Sequence, residues 1–190
     1  MSSRSLQSWA TSAAGALDQV EAAHTALGGI ARGRRYTTLQ VNQSYVVLLS
    51  SHFQAFCRDL HSEAVDHLVS SVQAVALRQV FQADLTRGRK LDHGNPNPGH
   101  LGNDFGRLGM AFWPDTNAVD TRNATRQANL DKMNKWRNAI AHQDFGPDLD
   151  PRTLTLAVVR RWRSSCNALS VHFDRVVSNH ILAVTGTRPW

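Results

Sequence analysis

The stretch LTLAVVRRWRSSCNALSVHFDRVVSNHI, residues 154–181, decides the fold class because its apolar side chains recur every three or four positions. This spacing places them on one face of an α-helix, whereas a half-buried β-strand would alternate apolar and polar residues. The stretch therefore predicts a long amphipathic helix that begins near Pro151, since proline suits the first helical turn. The predicted inward-facing residues are Leu154, Val158, Trp162, Cys166, Leu169, Phe173, Val176 and Ile181.

Three other segments have the same helical period, at residues 6–27, 39–75 and 124–142. The first is expected to end at Gly28 and Gly29, because glycine is a common helix stop. The second is expected to be one long helix or two helices joined near His61, and the third to end at Gly146 and Pro147. Four amphipathic helices in one chain predict an all-α, up-and-down four-helix bundle. No repeat or second domain is visible, so residues 1–190 are expected to form a single domain.

Between these segments lies a connector, at about residues 86–122, that is rich in glycine and proline. Its sequence, RGRKLDHGNPNPGHLGNDFGRLGMAFWPDTN over residues 87–117, excludes a long helix. A long irregular connector is expected, with one additional short helix in the stretch HLGNDFGRLG. Connectors of this length in compact domains are usually functional or disordered.

Composition indicates a globular protein, with 42% apolar and 19% charged residues. No apolar run approaches the roughly 18 residues of a membrane span, and the first residues lack the apolar core of a signal peptide. We therefore expect a cytoplasmic protein without membrane attachment. The two cysteines, Cys57 and Cys166, lie in apolar helical patterns and are expected to be small buried residues in a reducing compartment.

The net charge of +6 favours a polyanionic partner, because lysine and arginine neutralise phosphates. Arginines outnumber lysines 18 to three, which suits bidentate phosphate binding. A GC-rich genome would give the same excess of arginine without any functional meaning, and both explanations stay open.

The stretch KWRNAIAHQDF, residues 135–145, contains the pattern R-x4-H at Arg137 and His142. A second copy, RVVSNH, runs from Arg175 to His180, and about one such match is expected by chance. Arg175 and His180 flank an apolar stripe and are expected to be solvated or snorkelling side chains. Arg137 and His142 instead stand where a helix is about to end, next to an irregular segment, so they are better placed to meet a ligand.

Helix geometry limits how Arg137 and His142 can cooperate, because five positions at about 100° per residue place them roughly 140° apart. They could meet if His142 lay beyond the helix end, or if a second copy of the chain brought its own helix alongside. The small residues Ala139 and Ala141 would allow close approach of two such helices, which predicts a site at a twofold interface. Asn138 shares a face with His142 and could hold its imidazole or touch the same ligand.

Together, these blocks resemble a known family. The motif WRNAIAH is similar to the R-N-x-x-x-H form of the R-x4-6-H motif of HEPN domains, a superfamily of helical nucleotide-binding proteins. YVVLLSSHFQAFCRDL resembles the long second helix of the RiboL-PSP subgroup, and LDHGNPNPGHLGNDFGRLGMAFW resembles its Asn-Pro-rich connector. The three blocks occur in the expected order and are spread over residues 40–145. One departure is Gln54, where an acidic residue is often expected.

The resemblance implies a HEPN-like bundle that acts as a metal-independent endoribonuclease, without a cofactor, and leaves 2′,3′-cyclic phosphate and 5′-OH ends. Arg137 and His142 would be catalytic, with Asn138 supporting them and with Lys135, Trp136 and Gln143 as candidate RNA contacts. Imidazole can exchange protons near neutral pH, and guanidinium can stabilise the charge that builds on the phosphate. The implied partners are RNA, a second copy of the chain that completes the active site, and an antitoxin or regulatory protein, as in toxins and phage-defence effectors.

Other interpretations remain at this stage. A non-catalytic HEPN module could bind RNA or form complexes through the same residues, and a helical DNA-binding protein could use the basic segment ARGRRYT, residues 31–37. Arg137 and His142 could simply be cations favoured at a helix C-terminus. Trp136 could be a packing residue. His93 and His100, in the connector, could touch RNA or lie in a solvated loop.

Overall fold

The computed structural model describes residues 1–27 and 35–190, and this part of the chain contains helices and no strand. The expected stop at Gly28 and Gly29 and most of the basic segment 31–37 lie outside the described residues. The helices are α1 (Arg4–Ser8), α2 (Ala14–Ala26), α3 (Arg35–Ser70), α4 (Val75–Thr86), α5 (Pro98–Gly106), α6 (Phe112–Val119), α7 (Asn123–His142) and α8 (Leu156–Thr185). A π-helical turn, Trp9–Ala13, joins α1 to α2 without a break. The all-α expectation is confirmed.

Helices α3, α7 and α8 pack against one another, and α1 and α2 lie against α3. Each of these helices buries its apolar face in one common core, which is why the spacing of apolar residues predicted the long helices. Of the eight residues expected to face inward in the last segment, all are buried except Val158, which is half-buried. The largest fully buried side chains are Trp162, Tyr45, Phe53, Phe105 and Phe173. The two cysteines are buried and unpaired, as expected.

The second segment is one long helix, which was one of the two expected alternatives: α3 continues through His61 to Ser70. It ends short of Val75, because the chain breaks at residues 71–74 before α4. The last helix begins at Leu156 rather than near Pro151, because Thr155 caps it: the Thr155 Oγ1 accepts a hydrogen bond from the Val158 backbone N–H at 3.4 Å.

The connector contains the additional short helix expected in HLGNDFGRLG, which is α5, and also a second short helix, α6, where an irregular segment was expected. Asn97 caps α5 by accepting the His100 N–H at 2.8 Å, and Pro98 occupies its first turn. Phe105 of α5 stacks on Phe112 of α6 with ring centroids 4.3 Å apart. Both rings are buried, so the connector contributes to the core instead of running over it.

Within the described ranges, every helix falls short of the combination of length and apolar content that crossing a bilayer requires.

Candidate active site

The R-x4-H motif lies entirely on α7, which remains α-helical through His142. The helix ends at Gln143, whose backbone adopts the left-handed conformation with φ of 55°. His142 therefore does not lie beyond the helix end, and that route to a meeting with Arg137 is wrong. On a regular helix the two side chains project about 140° apart.

Arg137 opens into a polar cavity of about 340 Å³, which we call the Arg137 cavity. Its side chain is half-buried and is in no ion pair with any residue in the described ranges. Three other buried or half-buried arginines are neutralised: Arg89 pairs with Asp92, Arg126 with Asp120, and Arg163 with Asp18 and Glu21. Arg78 is also half-buried and without an ion pair among the described residues, but it donates to the Val72 carbonyl at 2.9 Å. An arginine without a carboxylate partner in a polar cavity is available to an anionic ligand. The cavity is lined by Arg137 and Asn138 of α7, by Gln54 of α3, and by Asp92, His93, Asn95 and His100 of the connector.

Asn138 stands between this cavity and a second one, because it lines both. Its Oδ1 accepts a hydrogen bond from Asn95 Nδ2 at 2.9 Å and another from an Arg137 guanidinium nitrogen at 3.3 Å. No hydrogen bond joins Asn138 to His142 among the described residues, so its amide orients the arginine rather than the imidazole. Because the oxygen is occupied, the amide N–H groups are left to face a ligand.

His142 lines the second cavity, of about 410 Å³, which we call the His142 cavity. The imidazole is exposed. Asp144 and Asp148 line the same cavity, and Lys135, which also lines it, is held in an ion pair with Asp131 at 2.9 Å. Two carboxylates make this cavity less favourable for a phosphate than the Arg137 cavity. In one chain, then, the cation and the imidazole face different spaces.

The flanking candidates divide into exposed and buried residues. Lys135 and Gln143 are exposed, and Gln143 Nε2 donates to the Ile140 carbonyl at 2.8 Å. Trp136 is only 4% exposed and donates its Nε1–H to the Pro151 carbonyl at 3.0 Å. An RNA contact through Trp136 was the wrong interpretation, because the indole ring packs inside the protein. Ala139 is also buried, at 6% exposure, whereas Ala141 is exposed.

Asparagines tie the connector to α7, a feature that sequence analysis missed. Asn134 and Asn138 are one helical turn apart on α7. Asn134 Nδ2 donates to the Pro96 carbonyl at 3.1 Å, and Asn138 accepts from Asn95. Asn97 Nδ2 in turn donates to Asn95 Oδ1 at 3.1 Å. The stretch NPNPG is thereby held beside Arg137. In the sequence, the only sign of this attachment was a pair of asparagines at helical spacing, together with an Asn-Pro segment elsewhere in the chain.

Gln54 also fixes the connector, by donating its Nε2–H to the Leu91 carbonyl at 2.8 Å. A carboxylate at this position would have no hydrogen to donate. The amide at Gln54 thus has a physical role, which is to anchor the wall of the Arg137 cavity.

A buried polar cluster holds the start of the connector against α3. His61 is fully buried; its Nε2–H donates to the Asp104 carbonyl at 3.1 Å, and its Nδ1 accepts from Arg89 at 3.3 Å. The Asp104 carboxylate accepts the Lys90 and Leu91 backbone N–H groups at 2.9 and 2.8 Å. Burial, together with the nearby Arg89 charge, lowers the pKa of His61 to about 4, so the ring is neutral at physiological pH.

In the second R-x4-H copy, Arg175 is exposed, whereas His180 is half-buried and its Nε2–H donates to the Leu108 carbonyl at 2.8 Å. Of the two expected alternatives, the solvated side chain thus describes Arg175 and not His180. His180 is a structural residue that links α8 to the segment after α5.

The described residues contain no cluster of three or more histidine, cysteine, aspartate or glutamate side chains placed to hold a metal ion. No family model, curated protein or solved structure matches this chain.

Proposed function

We propose that this protein is a HEPN-type endoribonuclease that cleaves RNA without a metal ion and leaves 2′,3′-cyclic phosphate and 5′-OH ends. In this proposal the four longest helical segments form an up-and-down HEPN-like bundle. The protein works in the cytoplasm as a homodimer, and a toxin or defence role would pair it with an antitoxin or regulatory protein.

The single observation that carries the proposal is the state of Arg137. Among the described residues, this half-buried guanidinium has no carboxylate partner; it opens into a polar cavity and is oriented by Asn138. Its charge is therefore available to a ligand that supplies the opposite charge. A phosphodiester fits, because its oxygens match the donor fork of arginine and its negative charge grows in the transition state.

The net charge of +6 supports a polyanionic substrate, because it attracts RNA over long range. Exposed Lys135 lies beside His142 on the same face of α7 and could contact the backbone of the substrate.

The separation of the two cavities favours a site built from two chains. Lys135, Asn138, Ala141 and His142 are all exposed on α7. If this face meets its copy across a twofold axis, His142 of one subunit approaches Arg137 of the other, which a single regular helix does not permit. Ala141, the smallest of the four, would leave room for the second helix.

In the proposed reaction, a base removes the proton from the ribose 2′-OH while the 2′-oxygen attacks phosphorus. The bond from phosphorus to the 5′-oxygen breaks, and an acid protonates that oxygen. His142 supplies one of these two proton transfers, and Arg137 stabilises the phosphate oxygens. General acid–base catalysis contributes about 10² to 10⁴-fold and a preorganised donor about 10² to 10³-fold.

The proposal is tested by incubating the purified protein with a structured RNA in EDTA and analysing the new ends. We expect cyclic phosphate products from the wild type, and a loss of at least about 10²-fold in rate for both Arg137→Ala and His142→Ala. The matched controls are Arg175→Ala and His180→Ala in the second motif copy. We expect both to retain the wild-type turnover, with thermal unfolding measured alongside because His180 holds Leu108.

Two outcomes would contradict the proposal. Tight RNA binding that depends on Arg137 without any cyclic phosphate would identify a non-catalytic RNA-binding module. A strictly monomeric protein that is inert toward all RNA would remove both the composite site and the activity.

A further inference from the structure

The Arg137 cavity contains a histidine that is not part of the R-x4-H motif. His100 lies in the first turn of α5, lines the same cavity as Arg137 and is half-buried. The ring is packed closely against the backbone of Gly94, where an added Cβ would lie only 2.5 Å from His100 Cε1. The absence of a side chain at position 94 thus makes room for the imidazole.

The hydrogen bonds of His100 fix which ring nitrogen carries the proton. Its Nδ1 lies 2.8 Å from the Asn95 carbonyl oxygen, which can only accept, so Nδ1 carries the hydrogen. In the neutral ring, Nε2 then has a free lone pair. Within the described ranges, no protein group forms a hydrogen bond with Nε2. An oriented imidazole with an unoccupied acceptor nitrogen, beside an unpaired arginine, has the features of a general base.

The same carbonyl links His100 to the residues that orient Arg137. Asn95 donates its side-chain N–H to Asn138, whose Oδ1 also accepts from Arg137. The backbone of Asn95 holds the imidazole and its side chain holds the amide next to the guanidinium. Both functional groups are therefore positioned by one residue within a single chain.

We propose that His100 is the general base of the RNA cleavage reaction and acts with Arg137 of the same chain. This inference rests on the proposed ribonuclease function. His100 Nε2 takes the proton of the ribose 2′-OH as the bond from the 2′-oxygen to phosphorus forms. The bond from phosphorus to the 5′-oxygen breaks, and its electron pair takes a proton from the His142 imidazolium of the partner subunit. The products are the cyclic phosphate and the 5′-OH, with the proton now on His100.

His93 lines the same cavity and provides the matched control. Its side chain is exposed, and in the described part of the chain its ring has no hydrogen bond that would orient it. The other charged groups at this cavity are Arg137 itself and Asp92, which is already paired with Arg89 at 2.7 Å. His100 is thus the one oriented base candidate among these described residues.

The first test compares His100→Asn with His93→Asn in the cleavage assay. The asparagine Nδ2 of His100→Asn can replace Nδ1 as donor to the Asn95 carbonyl, but an amide cannot accept a proton at neutral pH. We expect kcat to fall at least about 10²-fold for His100→Asn, with KM, melting temperature and dimerisation unchanged, and no such fall for His93→Asn. Wild-type kcat in a folded His100→Asn would overturn the inference, as would a loss that appears only in KM.

An RNA with a 5′-thio leaving group separates base from acid, because a thiolate leaves without being protonated. We expect this substrate to restore cleavage to His142→Ala and not to His100→Asn. Restoration of both variants, or of His100→Asn alone, would contradict the assignment of His100 as base.

A mixing experiment tests whether His100 and Arg137 act within one chain. Equal amounts of Arg137→Ala and His142→Ala subunits are unfolded and refolded together, so that half of the dimers contain one subunit of each kind. Each mixed dimer has one complete site out of two. About a quarter of the wild-type rate should therefore return. Mixing Arg137→Ala with His100→Asn should restore nothing, because neither chain has both groups. Recovery in this second mixture would overturn the same-chain arrangement.

The outcomes distinguish the two proposals. If the wild type does not cleave RNA, the proposed function itself fails. If the wild type cleaves, and Arg137 and His142 are required while His100→Asn is fully active, only the inference about His100 fails.

Discussion

Replacing His61 with glutamine should remove a measurable part of the pH dependence of stability. His61 is fully buried, and burial with the nearby Arg89 charge lowers its pKa from 6.5 to about 4. The unfolded chain therefore binds a proton at higher pH than the folded chain does. Stability from the neutral ring is complete above pH 6.5, is lost as the pH falls toward 4, and changes no further below that value.

The size of this effect follows from the pKa difference. Each pKa unit corresponds to about 1.4 kcal/mol, so the full loss is roughly 3 kcal/mol, of which about 2 kcal/mol is lost by pH 5. Glutamine can donate to the Asp104 carbonyl and accept from Arg89, but it does not titrate. The difference in free energy of unfolding between wild type and His61→Gln should therefore shrink or reverse by about 2 kcal/mol between pH 8 and pH 5.

Urea unfolding at pH 5, 6, 7 and 8 measures this difference. Burial also lowers the pKa of His172, but that residue is present in both proteins and cancels in the comparison. If the unfolding free energies of the two proteins change in parallel with pH, the pKa of His61 is the same in the folded and unfolded chains, and the argument that burial lowers it is refuted.

Two further substitutions test how the connector is held. Asp104→Asn should lower the free energy of unfolding by about 1 to 3 kcal/mol in urea titrations, because a buried carboxylate that accepts the Lys90 and Leu91 N–H groups is lost. An unchanged urea midpoint would show that these two hydrogen bonds do not stabilise the fold. Gln54→Glu should destabilise the protein by a similar amount at pH 7, because the Leu91 carbonyl loses its donor. This loss of stability should become smaller below pH 4, where the carboxyl group is protonated and can donate again. The same loss at both pH values would show that the hydrogen bond is not the cause.

The long helices could be predicted from the sequence because their stability comes from burying an apolar face, and that face is visible as a period. The inward residues of α8 illustrate this, from Trp162 to Ile181. The start of α8 could not be predicted in the same way, because Pro151 and Thr155 are both suitable first-turn or cap residues. Only the observed hydrogen bond from Val158 to Thr155 decides between them.

The short helices were harder to predict, because their stability depends on distant partners. α5 has local signals in Asn97 and Pro98, whereas the stacking of Phe105 on Phe112 becomes visible only when the chain is folded. Glycine content suggested an irregular connector, but aromatic burial outweighs the low helix propensity of these residues.

For the candidate site, the R-x4-H motif identified Arg137 and His142 as candidates, and helix geometry predicted that their side chains would point apart. It could not reveal the surroundings of Arg137, because the hydrogen bond from Asn95 to Asn138 joins residues 43 positions apart. It also could not distinguish Trp136 from a base-stacking residue, since an indole next to a motif looks the same whether it is buried or exposed. His100 differed from His93 only once the contact with the Asn95 carbonyl was known.

The attachment of the NPNPG stretch to Asn134 and Asn138 has a consequence for how specificity could diversify. Arg137 lies on α7, whose inner face packs in the core, whereas the opposite wall of its cavity is the NPNPG stretch, which hydrogen bonds hold to α7 at Asn134 and Asn138. Exchanging the other residues of this stretch while keeping both hydrogen bonds would change the shape of the Arg137 cavity and leave the guanidinium in place. If the proposed ribonuclease function is correct, substitutions in this one short stretch would alter the choice of substrate.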